Sequence, residues 1–531
     1  MRTQSVAPGA EPEGRRRFFE LLTRHGTAFS LAGLFLAYFA TRLLFLGKLP
    51  VFFDESIYIR WSQQVLHDGR YLISLTDGKP PLHIWIMVPF LMVVKDPLLA
   101  GRLASVACGA ATLTGIILIG KELEDLRLGL WGGAFYVVCT FTLWYDRVAL
   151  SEGLLLALSV YTVYSALRCA KTLRLSLVPV IAVLLGMALL TKGTAQLLYL
   201  ISPLAFLTRP LKRRALKHDL LRWAALMCAS LVGGYAIYSV LRFSALYRMI
   251  GLRTAATTRS LGEILKNPFD VFLSNLQAIL STLIIFMSGI LLAAAVCGLA
   301  LGFARKWRPA WFLAGWVAVV ALVESLVAKH WMFDTILPRF FLSLAPPLLL
   351  SAAYASRLLA VRSGLATGMK RTLYWKGAAL AVLALLVLVP LAGSVWAIAD
   401  PSSAPLPQWI RFQYVTDWPS GWGIAEAVDL VKREGGPVLV GSNLKGIGLP
   451  TDGLLMYLFD DPDVVVLPFS YKSEKLPREL LEAARRKRTL LVFNAFPGRE
   501  RPPGEWPVRM LEKIPKDGNP GCNLYIMEVV P

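Results

Sequence analysis

The sequence predicts a polytopic α-helical membrane protein with a small soluble α/β domain at its C-terminal end. Three observations predict it. Hydrophobic residues make up 56% of the 531 and charged residues only 17%, against about 25% charged in an ordinary soluble domain, so much of the chain is solvated by lipid. Apolar stretches near the roughly 20 residues needed to cross a bilayer recur between residues 28 and 397. Beyond residue 398 they stop, and short β-branched runs alternate with amphipathic helical patterns.

Taken in order, the first apolar run, Ala28–Leu46, follows basic residues and has no small-residue cleavage site after it. It reads as a retained anchor behind a cytoplasmic tail, 1–27. With that span at 28–47, others are expected near 98–120, 128–145, 149–168, 176–191, 194–208, 222–241, 275–303, 309–328, 337–356 and 377–397, about eleven in all. The fifth and sixth are short and share the break "LLTKGTA", Leu189–Ala195. "PLHIWIMVPFLMVVKD" is too short to cross and is expected as an interfacial helix.

Basic clusters set the orientation. "EGRRRFF", then Arg168, Lys171 and Arg174, then "TRPLKRRALKHDLLR", "ARKWR", and Arg357, Arg362, Lys370 and Arg371 all fall on one side of an eleven-span chain. The positive-inside rule puts that side, with the N-terminus, in the cytoplasm and the C-terminus outside. The formal charge of +21 is therefore an orientation signal, and no nucleic acid is expected as a partner. The opposite face receives the loop 48–97, the junction Asp146–Glu152, Lys192, the loop 242–274, "AKHWMFDTILPR" and the soluble part, 398–531. A transmembrane catalytic domain would then occupy 28–397.

In the soluble part, "PVLVGS", "DVVVLPF", "TLLVFNA" and "NLYIMEVV" read as strands, and "GIAEAVDLVKRE" and "LPRELLEAARRK" as helices. "GSNLKGIGLPTDG" has neither dinucleotide nor P-loop spacing. Cys522 is alone there, the other five cysteines lying in or beside apolar runs, so this domain has no internal disulfide.

The chemistry candidates gather on the outer face. In "FFDESIYIRWSQQVLHDG", Ile57, Tyr58, Trp61 and Val65 share one face of a helix stopped by Gly69. Asp54 is either its N-cap, with Glu55 in the acidic first turn, or a carboxylate that takes a proton from a hydroxyl nucleophile. Lys79 in "DGKPPLHIW" precedes two prolines that suit a helix start. It is either half of an anion site with the free N–H groups of Leu82 and His83, or a headgroup anchor. His83 itself reads as structural. Asp146, Arg147 and Glu152 sit at the outer junction of two spans, where Glu152 is either a first-turn acid or faces a polar cavity. Lys192 lies at the helix break, as a site residue or a snorkelling lysine, and Arg339 occupies a similar outer edge. Carboxylates and cations on one face suit attack by a hydroxyl, with the cations stabilising a departing phosphate.

The segments "FFDESIYIRWSQQVLHDG", "DGKPPLHIWIMVPF", "DPLLAGRLASVACG", "DRVALSEGLLL", "TKGTA" and "PRFFLSLAPP", in this order, resemble the protein-O-mannosyltransferase and aminoarabinose-transferase superfamily over roughly residues 28–360. That resemblance implies a GT-C fold and transfer from a polyprenyl-phosphate sugar. It implies Asp54 as catalytic base with Glu55 supporting it, Lys79 on the donor phosphate, and Glu152 as a second acid. Lys192 and Arg339 follow the family's patterns more loosely. Tyr58, Pro80, Pro81 and Arg102 (the "aRL" opening the second span) would support the site. A divalent metal is a candidate cofactor in the aminoarabinose branch, but Gly78 stands where that branch carries a glutamate, which argues against that branch and assigns no metal ligand here.

The resulting expectation is an inverting glycosyltransferase on the outer face of a cell membrane, bacterial by default. Asp54 would act as base, and Lys79, Arg147, Lys192 or Arg339 would hold the leaving phosphate. The acceptor could be protein, lipid or glycan. The competing reading is a lipid or saccharide transporter, which would usually show two related halves.

Overall fold

The computed structural model describes residues 13–210, 216–330, 333, 335–365 and 372–531, and only the backbone before residue 26. Lys212, Arg213, Arg214, Lys370 and Arg371 of the basic clusters lie outside the described residues, as does the tail before residue 13. Helix α1 (Glu13–Leu43) leads to α2 (Phe53–Asp68), α3 (Leu82–Val93), α4 (Pro97–Leu123), α5 (Leu126–Val138), α6 (Thr140–Asp146), α7 (Ser151–Thr172) and α8 (Leu177–Thr191). Among the described residues, seven helices are long and apolar enough to cross a bilayer, or up to nine if each of two bent pairs is one span. This is a polytopic helical membrane protein.

The expected count of about eleven differs from this because several apolar segments break. The segment expected as one span at 128–145 bends by 69° between α5 and α6, and that expected at 275–303 bends by 110° between Phe272–Met287 and Gly289–Ala304. Unbroken, a 29-residue helix would run roughly 44 Å at 1.5 Å per residue, well past the ~30 Å hydrocarbon thickness. The second bend falls at Ser288, in the left-handed region at φ 64°. The short fifth and sixth expected spans are α8 and the segment Gly193–Thr208, joined where Lys192 turns extended (φ −163°, ψ 146°).

Two short helices lie between the first two expected spans. Helix α2 buries Ile57, Tyr58, Trp61 and Val65, the face its spacing predicts, and stops at Gly69 with φ 67°. Its N-cap is Phe52 rather than Asp54, because the Glu55 carboxylate accepts from the Phe52 N–H at 2.9 Å. Helix α3 starts directly after Pro81 and runs 12 residues, too short to cross.

The C-terminal sheet has the order β2-β1-β3-β5-β4, where β1 is Val438–Ser442, β2 Val464–Pro468, β3 Thr489–Asn494, β4 Val508–Lys516 and β5 Asn519–Val529. Strands β2, β1 and β3 are parallel, while β5 runs antiparallel to both β3 and β4. Side chains alternate between two apolar layers, as a period of two requires. Val440, Leu490, Val492, Leu524 and Ile526 join the core that continues into the membrane helices, whereas Leu439, Leu491, Phe493, Tyr525 and Met527 face a second cluster. One continuous core thus joins soluble and membrane parts.

The junction falls at the start of α2. Phe52 forms an antiparallel bridge with Ser420, the Phe53 N–H donates to the Pro419 carbonyl at 3.0 Å, and Phe52 packs on Tyr414 with ring centroids 4.4 Å apart. Gln63 on α2 donates to the Met456 carbonyl at 2.8 Å.

Candidate active site

Glu55, one turn into α2, has no exposed surface. Arg102 on α4 donates Nε and Nη2 to its two oxygens at 2.9 Å each, and the Ala149 N–H adds a bond at 2.8 Å to that from Phe52. The same guanidinium binds the carbonyls of Leu46, Leu49 and Pro50 at 2.8–2.9 Å. Such two-pronged charge-assisted pairing is rigid as well as strong. It ties the chain after α1, the start of α2 and the turn before α7 into one unit.

Asp54, the next residue back, points the other way. Its Oδ1 lies 3.3 Å from Lys79 Nζ and its Oδ2 2.5 Å from Arg339 Nη1. Burial pushes this carboxyl up, but Lys79 and Arg339 outweigh it and hold it well below the usual carboxylate range. Arg339 Nε also lies 3.8 Å from Glu152, which takes Lys192 Nζ at 2.6 Å. On the opposite flank Lys79 is 3.4 Å from Asp77. The result is an alternating row, Asp77–Lys79–Asp54–Arg339–Glu152–Lys192, gathered from five separate stretches of sequence. The Asp54 side chain keeps 11% of its surface and those of Lys79 and Arg339 15% each, so the middle of the row is reachable.

Local sequence explains the placement. Gly78 closes a short turn, Ile73–Asp77, in the left-handed conformation at φ 66°, and Pro80 and Pro81 then end the loop at the start of α3. Lys79 is thereby raised over the rings of Tyr58 (4.7 Å to the centroid) and Trp61 (5.5 Å), which favour a cation on their faces. Lys192 reaches Glu152 from the break after α8 and stacks over Phe340 at 4.8 Å. A shallow groove leaves Glu152 and Arg339 along apolar walls that include Leu155, Leu198, Ile201 and Leu342.

One expectation changes. Arg147 is not in the row: it donates to the carbonyls of Thr41, Arg42, Leu44 and Phe45 at 2.7–3.0 Å, at and just beyond the end of α1, where helix carbonyls lack intrahelical partners. The residues also do not fit a metal on this loop. A Cβ at Gly78 would stand 2.3 Å from the Met249 carbonyl oxygen, leaving no room for a glutamate, and Asp77 and Asp54 already share Lys79. Among the described residues no group of three or more His, Cys, Asp or Glu is gathered as a metal would need.

Sequence reasoning missed Asp77, Arg253 and Glu324. Arg253, on helix Arg248–Thr257, lies 3.5 Å from Asp77, and nothing local announced that. Glu324 is buried within Pro309–Val327; an acid inside an apolar span was the available signal.

Comparison with known proteins adds the fold. A family model described as dolichyl-phosphate-mannose-protein mannosyltransferase matches residues 78–238, which begin one residue before Lys79. The structure of ArnT from Cupriavidus metallidurans in the apo state superposes with TM-score 0.58 at 12% identity, covering 95% of this chain and 98% of that one. The chain has the GT-C fold. The same ArnT bound to undecaprenyl phosphate gives 0.57 at 13% identity, over 95% and 98% of the two chains. For the Archaeoglobus fulgidus oligosaccharyltransferase tethered with an acceptor peptide, the TM-score is 0.55 at 10% identity, over 90% of this chain and 70% of that one. No curated protein sequence matches. In this GT-C protein the charge row takes Asp54 from the start of α2, which also touches the soluble sheet domain, and Lys79 from the turn before α3.

Proposed function

We propose that the protein transfers a sugar from a polyprenyl-phosphate donor to an acceptor hydroxyl by an inverting single displacement on the extracytoplasmic face. The observation that carries this reading is Asp54 held between Lys79 and Arg339 at the mouth of an apolar groove. A lipid-linked phosphate matches both features: an isoprenyl tail suits the groove, and a phosphate suits two converging cations. Undecaprenyl phosphate bound to ArnT of the same fold supports the donor class.

In the resting protein Asp54 is a poor base, because its two cations favour the ionised form. An arriving phosphate competes for Lys79 and Arg339. As they turn to the donor, Asp54 loses what depressed its pKa and becomes able to accept a proton. The acceptor oxygen then attacks the anomeric carbon, and its proton passes to Asp54. The bond from that carbon to the phosphate oxygen breaks with its electron pair, and Lys79 and Arg339, with Lys192 behind them, stabilise the released phosphate. Glu152 keeps Arg339 and Lys192 oriented.

The orientation rests on the basic clusters, which favour a cytoplasmic N-terminus. The charge row against a soluble domain at one end of the bundle favours an enzyme over the transporter reading, which expects binding groups near the midplane. The test is transfer from radiolabelled polyprenyl-phosphate hexoses and pentoses in proteoliposomes. Asp54→Asn is expected to lose at least about a hundredfold in turnover, and Lys79→Ala to lose donor binding as well. Full turnover in Asp54→Asn would remove the base.

A further inference from the structure

Lys516, at the end of β4, is a lysine with only 1% of its surface exposed and no carboxylate in an ion pair with it among the described residues. Burying an ammonium is costly unless its hydrogen bonds are met, and here two backbone carbonyls meet them. Nζ donates to Ser420 O at 2.6 Å and to Trp422 O at 3.0 Å. These carbonyls belong to the turn that touches the membrane part. Pro419 O in the same turn accepts from the Phe53 N–H, and Ser420 pairs with Phe52. Gly421 lies so close to Val51 that a Cβ there would stand 2.2 Å from the Val51 carbonyl oxygen.

The Phe53 N–H is one of the donors that a helix start leaves without an intrahelical partner. In α2 it is satisfied from outside the membrane part, one residue before Asp54. The phenyl ring of Phe53 is held too, edge-on to Trp418 at 5.3 Å and against Gly448. The start of α2 therefore has two mounts. One is the Arg102–Glu55 pair beneath it, and the other is the 419–422 turn above it.

We propose that Lys516 is a positioning residue for Asp54: by holding the 419–422 turn against residues 51–53, it makes the soluble domain half of the mount that aims the base. This rests on the reading of Asp54 as base. An error of about 1 Å in such a group is enough to cost up to a hundredfold in rate, so the soluble domain contributes to catalysis without touching substrate.

The experiment uses the full chain in nanodiscs, with Lys516→Met as the first variant. Gly421→Ala disturbs the same contact while leaving the lysine in place, so it serves if Lys516→Met does not fold. Amide hydrogen exchange is read over residues 50–58, and turnover and polyprenyl phosphate affinity are measured beside it. Each variant is expected to speed exchange at 51–54 and to lower kcat by about tenfold, the scale of one charge-assisted hydrogen bond. Donor affinity should stay within about twofold, and the double variant should be no worse than either single, as members of one unit behave. Unchanged exchange at 51–54 in both variants overturns the proposal, and so does faster exchange with an unchanged kcat. Absence of transfer by the wild type counts against the base assignment instead, and exchange still decides whether Lys516 braces α2.

Discussion

Asp54 is both stabilised and disarmed by its cations, and that duality is measurable. A carboxyl whose folded pKa is depressed contributes stability above its unfolded value of about 3.9, lost only as pH falls through the lower folded value. The Lys79–Asp54–Arg339 contacts should therefore persist in the free protein below pH 4. Once donor phosphate has drawn the cations away, the carboxyl should titrate higher. The acid limb of kcat, which reports the complex, is thus expected at higher pH than that of kcat/KM, which reports the free enzyme. Coincident limbs would mean that the donor leaves the cations where they are. Arg147 makes the opposite prediction. Its guanidinium serves four carbonyls at the end of α1, so Arg147→Ala should lower thermal stability while donor affinity stays within about twofold, since unmade buried hydrogen bonds cost about 1–3 kcal/mol. The sequence put Asp54, Lys79 and Arg339 in the site because charged types at span edges are rare enough to point. It grouped Arg147 with those cations, and the four carbonyls that Arg147 serves were not legible, because a side chain whose partners are backbone carbonyls leaves no trace in residue type.

The breaks between helices place the site. Lys192 reaches Glu152 because α8 stops after 15 residues, and the "TKG" break announced that much. The 110° bend at Ser288 was not legible, since an apolar run reads the same straight or folded. Helix Arg248–Thr257, lying across Gly78, was equally silent, because the contact joins loops far apart in sequence. It predicts that Gly78→Glu, which returns the acid of the aminoarabinose branch, will weaken donor binding, and that a divalent cation will not recover it. The side chain must displace the Met249 backbone and also adopt a left-handed conformation costing about 1–2 kcal/mol. Recovery by the metal would show that the loop yields. Strand β4 escaped the sequence reading because, at the edge of the sheet, "VRMLEKIPK" alternates poorly and shifts register at two places. The turn Thr451–Tyr457 escaped inside a glycine-rich stretch, yet it carries Asp452 against α2. Burial raises that carboxyl to about 6, with the Gly448 N–H, Arg60 and Lys79 pulling the other way. Its ionisation penalises the folded state from about pH 4 upward and fully above 6. Asp452→Asn keeps an acceptor for Gly448, so it should raise the melting temperature at pH 8, by about 3 kcal/mol of stability, and leave it unchanged near pH 3.5.

Across the chain, composition was enough to separate lipid-solvated helices from a soluble α/β part, and the latter's four recognised strands and two recognised helices, Ile424–Arg433 and Arg478–Ala484, lie where periodicity put them. Their assembly was not legible. The shared core and the contact of residues 51–53 with 419–421 depend on packing between segments more than 360 residues apart. That contact ties the soluble domain to the start of α2, the helix that carries Asp54. The row of alternating charges is likewise a property of the assembled bundle: its three acids and three cations balance when it is empty, and a phosphodiester donor adds one negative charge. The most direct measurement is therefore polyprenyl phosphate binding to the wild type and to Asp54→Asn in nanodiscs, with sugar transfer followed on the same samples. Removing the carboxylate that competes for Lys79 and Arg339 should tighten binding by roughly three- to tenfold, on the order of a partly exposed ion pair, while transfer is lost. Weaker binding in Asp54→Asn, or transfer that survives it, would contradict the account.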